Sequence, residues 1–202
     1  MSAHGKFGGL RHELDQAITY GTRKDALVLA RRGLRQAEQE DIRSEAEYFK
    51  GQIDLLKDNL VSAIEHFDAT IRLDPADGAA YNDRALCMVD LGIIDDALVY
   101  FDKGIKAEPD YATIYHNKGW LLNNIGRHTE AVACFRKALE LEPGRAVTYD
   151  NLADALANLG DCRGALDAYR RVLEFLKPGQ CPSIRKAITR QIRDLEQKMK
   201  RQ

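Results

Sequence analysis

No stretch of the sequence stays apolar for the roughly 18 residues that a membrane helix needs, so no span is expected. The opening MSAHGKFGG has no apolar h-region, which makes the cytoplasm the expected compartment. Cysteine is sparse: Cys87, Cys134, Cys162 and Cys181 lie far apart, with no C-x-x-C pair and no histidine at zinc-finger spacing. They read as reduced thiols, and neither metal nor cofactor is expected. Catalytic motifs are missing as well. His12 and Glu13 lack the second histidine of a zinc-protease helix, and G-x-S-x-G, G-x-x-x-x-G-K-[ST] and G-x-G-x-x-G do not occur, so no catalytic residue is expected and the chain is not read as an enzyme. Only 5 prolines interrupt 202 residues that are 45% apolar and 30% charged, a helical composition with enough chain for a core that needs no disulfide. Basic excess is confined to the end: residues 183–202 carry +5 and the first 182 carry −6. A mildly acidic body argues against nucleic acid as a partner.

What the sequence does have is a period of 34. Ala63, Ala97, Ala131 and Ala165 stand 34 apart, and so do Phe67, Phe101, Phe135 and Tyr169. Gly51, Ala85, Gly119 and Ala153 form a third column, Gly92, Gly126 and Gly160 a fourth, Tyr81, Tyr115 and Tyr149 a fifth. Pro75, Pro109 and Pro143 keep the same step, and Pro178 slips by one residue. Each column has a mechanical reason. Small residues let two helices approach closely, and an aromatic four residues after each alanine sits one turn along and fills the space beside that contact. Glycine ends the first helix in a left-handed cap, and proline stops the second. One repeat is therefore helix, tight turn, helix, short turn.

This pattern resembles the tetratricopeptide repeat. The resemblance implies an all-α fold, a right-handed α-solenoid of about five helical hairpins closed by a C-terminal capping helix. The expected segments, within one continuous domain, are a degenerate hairpin over 1–43, repeats over 44–77, 78–111, 112–145 and 146–180, and a cap over 181–202. The degenerate hairpin has Gly21 at its turn, Ala26 and Ala30 at packing positions, no terminal proline, and a step of 37 to its successor. The cap carries Ile184, Ile188, Ile192, Leu195 and Met199 at helical spacing, with basic residues opposite.

The family resemblance also implies that first helices line a concave groove that binds. With the packing columns set aside, the groove candidates are Tyr48, Gln52, Asn82, Asp83, Asp90, His116, Asn117, Trp120, Asn124, Asp150, Asn151, Asp154 and Asn158, with Phe49, Leu56, Leu86 and Asn123 among them. This strip has no lysine or arginine. Asn117 and Asn151, with Asp83 one repeat earlier, recur at the repeat step; they form either a ladder of amides gripping a peptide backbone, similar to asparagine ladders in some tetratricopeptide superhelices, or, for Asn117 and Asn151, bonds to neighbouring helix backbones. Trp120 is either a groove anchor or an inter-repeat core residue. The clamp by which some family members grip the acidic tail of heat-shock chaperones is not expected. Its places hold Tyr48, Gln52, Asp83, Thr113 and Asn117, or one repeat along Asn82, Leu86, Asn117, Val147 and Asn151, where only Asn117 fits.

The expected function is a non-catalytic scaffold or adaptor that binds a neutral to basic peptide or protein segment. Alternatives are a chaperone or assembly factor for a secreted or multi-subunit complex, and a regulatory subunit of an enzyme. Self-association as a homo-oligomer through end faces is left open.

Overall fold

The structure is a computed structural model that describes residues 5–176 and 182–201. Pro178 and Cys181 lie outside the described residues, as does the start of the expected cap. Among the described residues there are eleven α-helices and no strand. They are α1 (Gly8–Tyr20), α2 (Arg23–Gln39), α3 (Arg43–Leu55), α4 (Leu60–Leu73), α5 (Gly78–Asp90), α6 (Ile94–Ala107), α7 (Ala112–Asn124), α8 (His128–Leu141), α9 (Ala146–Asn158), α10 (Cys162–Phe175) and α11 (Pro182–Arg201). The chain forms two compact units, Met1–Ile114 and Tyr115–Gln202.

In the first unit each helix from α1 to α5 packs on its successor. The aromatic column supplies the core: Phe67 and Phe101 are fully buried. The small-residue column explains their fit, because a Cβ placed on Gly51 would lie 2.6 Å from the Phe67 ring. Phe49, a groove candidate by its position, is core instead, since it fills the gap over Gly33, where a Cβ would stand 2.3 Å from its ring. The irregular first step also has a physical account. α2 has 17 residues where α4, α6, α8 and α10 have 14, so three extra residues lengthen this helix. With no proline to stop it, the chain turns through Asp41 at φ 54°.

In the second unit α8 packs on α9, α9 on α10 and α10 on α11. Phe135 is fully buried against Gly119, where a Cβ would stand 2.8 Å from the ring. Arg185 of α11 donates through Nη2 to the carbonyls of Leu173 at 3.1 Å and Leu176 at 2.7 Å. One cation thus satisfies two of the carbonyls left without helical partners at the end of α10, where the helix dipole also favours positive charge. Ile188, on the same helix as Arg185, is 2% exposed.

Gly92, Gly126 and Gly160 adopt φ of 78°, 81° and 80°, the left-handed cap that the column demands. Asp58 stands in the same place one repeat earlier and takes φ 63°, a conformation that aspartate tolerates better than most residues. Gly21 differs: its φ is −99°, and α2 starts two residues later at Arg23, capped by Thr22, whose hydroxyl accepts from the Asp25 amide at 3.2 Å. A Cβ at Gly126 would meet nothing within 4 Å, so only backbone strain opposes substitution there. Gly126→Ala is expected to cost about 1–2 kcal/mol in urea unfolding, with helix content by circular dichroism unchanged.

Candidate functional site

The first-helix strip of the first unit closes on itself. Tyr48, Gln52, Asn82 and Asp83 are all buried, and Asp90 alone among its candidates is exposed. The reason is Arg11 of α1, which is 7% exposed and inserts its guanidinium against α3 and α5. Its Nε donates to Glu45 at 3.0 Å, its two terminal nitrogens form a bidentate pair with Asp77 at 3.1 and 2.8 Å, and its Cζ lies 3.5 Å from the centre of the Tyr48 ring. Asp77 also caps α5, with Oδ1 accepting from the Ala80 amide at 2.9 Å. Burial works against the guanidinium's charge, but Asp77, then Tyr48 and Glu45, outweigh it and hold the proton more tightly than in water.

Beside this ion cluster the Gln52 amide donates to the Tyr48 hydroxyl at 3.1 Å and to Asp83, and the Asn82 amide donates to Asp83 at 2.8 Å. Burial pushes the Asp83 carboxyl up to about 7; Asn82 pulls it down, and the charge of Asp15 pushes it up again. Arg11, in the first hairpin, brings an arginine against a strip whose named candidates include none. Its place is masked in the sequence because the first hairpin is out of register with the 34-residue period. A step of 37 followed by steps of 34 puts Arg11 in one column with Tyr48, Asn82, His116 and Asp150, and that shared polarity is the available signal.

The second unit keeps more of its strip open. His116 of α7 is 8% exposed, with Nδ1 2.9 Å from the Thr148 hydroxyl and Nε2 3.5 Å from the Asn151 amide nitrogen. An amide nitrogen only donates, so the imidazole carries its proton on Nδ1 and gives it to Thr148. Burial, then the charge of Arg145, holds His116 down at about 3, so the ring is neutral at ordinary pH. Two turns along, the Asn123 side-chain oxygen accepts from Asn158 at 3.4 Å and lies 2.7 Å from His128 Nδ1. These two rungs tie α7 to α9. Trp120 and Asp154 occupy the positions between the rungs on their respective helices, and Trp120 is 39% exposed. Asn117, Asp150, Asn151 and Asp154 are half-buried, and Asn124 and Asn158 are exposed. Asp154 accepts from the Tyr169 hydroxyl. Burial pushes the Asp150 carboxyl up to about 6, with Asp154 one turn away adding to the effect.

Two models of the tetratricopeptide repeat match the sequence, over residues 57–112 and 110–177. The chain belongs to the tetratricopeptide-repeat family. No curated protein matches it. Among solved structures, the thermophilic tetratricopeptide-repeat protein TTC0263 of Thermus thermophilus superposes with a TM-score of 0.70 at 20% identity, over 90% of this chain and 96% of that one. MamA gives 0.61 at 19%, over 80% and 93%. The first such domain of Spaghetti (RPAP3), bound to the HSP90 peptide SRMEEVD, gives 0.55 at 20%, over 61% and 93%. At these identities the likeness is one of fold. As tetratricopeptide hairpins, the odd-numbered helices α3, α5, α7 and α9 are first helices and carry the candidate residues, with Leu56 at the C-terminal cap of α3.

Other reactive groups are accounted for within the two units. Arg84 grips Asp68 through Nε at 2.6 Å and lies 3.6 Å from the centre of the Tyr100 ring. Lys50 pairs with Glu47 at 2.7 Å. Cys87 and Cys162 are buried and Cys134 is half-buried, and burial pushes the Cys87 thiol up to about 12, which makes it a poor nucleophile. Among the described residues no three of His, Cys, Asp and Glu cluster to hold a metal, and no helix is long and apolar enough to cross a membrane.

Proposed function

We propose that the protein is a non-catalytic interaction scaffold that binds a peptide or protein segment along its first-helix face. The observation that supports this most directly is Trp120. It is the sole tryptophan, and it stays 39% exposed while the residues on either side of it are tied to α9. A large ring held out of the core on a rigid helix is the kind of group that dominates binding energy at interfaces, because it buries area at little entropic cost. Around it Asn124 and Asn158 keep amides in solvent, each able to donate to and accept from a peptide backbone. The RPAP3 domain is bound to a peptide ending in acidic residues. In this chain the places of a carboxylate clamp hold Tyr48, Gln52, Asp83, Thr113 and Asn117, so an acidic tail is not the proposed ligand.

The test is affinity capture from the native host, comparing the wild type with Trp120→Ala/Asn124→Ala, two changes at exposed positions that leave the helix ladder intact. Loss of one or more captured proteins, with circular dichroism and melting unchanged, is the expected result. An identical captured set would remove the face from consideration as the binding surface.

A further inference from the structure

The strip is short of hydrogen-bond donors at one point in each unit. In the first unit the Gln52 amide spends its nitrogen on Tyr48 and Asp83, while its oxygen is buried and reached by no donor of the described residues. That point is sealed: Gln52 is 2% exposed, and the nearby cation Arg11 is engaged with Glu45 and Asp77. In the second unit Asp150 Oδ1 is likewise buried with no donor of the described residues upon it, but here the strip is open, with Asp150 and Asp154 half-buried and Trp120 exposed. Asp154 is engaged by Tyr169, and Arg145 reaches toward Glu142 at 3.4 Å. A buried acceptor without a donor costs free energy that a ligand can return.

We infer that the ligand is a segment bearing arginine or lysine, one of whose cationic side chains lies over Trp120 and donates to Asp150 and Asp154. This rests on the scaffold reading above and adds the chemistry of the partner. Three features of the second unit converge on a cation. The indole face attracts a guanidinium or ammonium within about 6 Å of its centre. Asp150 and Asp154 stand one turn apart on one face of α9, so a guanidinium fork can serve both. No donor among the described residues meets Asp150 Oδ1. A carboxylate placed there would meet two acids and gain nothing from the indole face, so charge complementarity selects the basic segment over the acidic one.

Trp120, as the single tryptophan, reports its own occupancy. The full-length protein is titrated with a glycine-serine peptide of about 12 residues carrying three arginines, with its twin in which citrulline replaces arginine, and with a glutamate twin, following Trp120 emission. The arginine peptide is expected to bind at least about tenfold tighter than the citrulline twin, to weaken as salt rises, and to lose most of that margin in Asp150→Asn and Asp154→Asn. Asparagine preserves the size and one acceptor at both sites, so folding is retained, as circular dichroism would show. Equal binding of the arginine and citrulline peptides overturns the inference while leaving the scaffold reading in place. Tighter binding of the glutamate peptide reverses it. No response to any peptide also overturns it, and the capture experiment then decides the broader reading independently.

Discussion

Arg11→Met is expected to lower the stability of the first unit by about 3–5 kcal/mol, because it leaves Glu45 and Asp77 buried without their shared cation. Both carboxylates lie at side-chain exposures of 8% or less, so water cannot replace the guanidinium. The loss is not simply that of one salt bridge. Asp77 caps α5 while it pairs with Arg11, so removing the cation disturbs the start of α5 as well as the docking of α1. Tyr48 in turn loses the cation stacked on its ring, a contact worth about 2 kcal/mol when desolvated. The measurement is urea unfolding followed by circular dichroism, with near-complete loss of the α1–α2 hairpin's amide protection in hydrogen exchange. Removing all three charges together, as Arg11→Met/Glu45→Gln/Asp77→Asn, is expected to recover part of the stability, since the penalty comes from unpaired burial and not from the missing attraction alone. Unchanged unfolding of Arg11→Met would mean that the cluster is solvated and α1 is held by Phe7, Leu10 and Leu14 alone.

That cluster marks the limit of what the sequence discloses. The helical hairpins are legible because the period of 34 repeats five mechanical requirements at once, and the structure meets them: Phe67 over Gly51, Phe135 over Gly119, and glycine in the left-handed cap at 92, 126 and 160. Departures from the period are less legible. Asp58 and Asp41 do by left-handed aspartate what glycine or proline does elsewhere, and α2 absorbs the three-residue excess of the first step. Facing is the hardest to read. Helical spacing places Tyr48, Gln52, Asn82 and His116 on the first-helix strip, but it does not tell whether a neighbouring helix covers them. Polar side chains there are satisfied by one another across a step of 31 to 35 residues: Gln52 with Asp83, His116 with Thr148 and Asn151. A polar residue at a surface-like spacing reads as solvent-exposed until its partner is known, and the partner lies a repeat away. For Asn151 the contact is to a side chain of the preceding first helix, His116, which neither alternative named. Trp120 is undecided in the sequence for the same reason, and the structure leaves it 39% exposed.

Asp83→Asn is expected to make the first unit more stable than the wild type at pH 8, by a margin that narrows as pH falls and closes only below about pH 3.9. The folded carboxyl titrates at about 7, pushed up chiefly by burial, whereas an aspartate in the unfolded chain titrates near about 3.9. Between those values the folded state holds a proton that the unfolded state has released, so the wild type loses stability as pH rises through the window, by up to about 4 kcal/mol. The groups facing Asp83 set the sign. Asp15 on α1 and Asp77 before α5 oppose its ionisation, while the Asn82 amide and the Tyr48 hydroxyl support it. Arg11, though near, is held by Glu45 and Asp77. Asparagine resembles the protonated acid in shape and charge, so the variant lacks this titration while keeping an oxygen to accept from Gln52. Two groups of the second unit titrate in neighbouring ranges and in opposite directions. Asp150, raised to about 6, also loses stability as pH rises; His116, lowered to about 3, loses it as pH falls below about 6.5. The quantity to read is therefore the difference between variant and wild type at each pH, in which the second unit cancels. Urea midpoints at half-unit steps from pH 5 to pH 8 should diverge progressively, with the variant above. Parallel curves would mean that Asp83 is ionised throughout and that Gln52 and Asn82 stabilise its charge more strongly than burial opposes it.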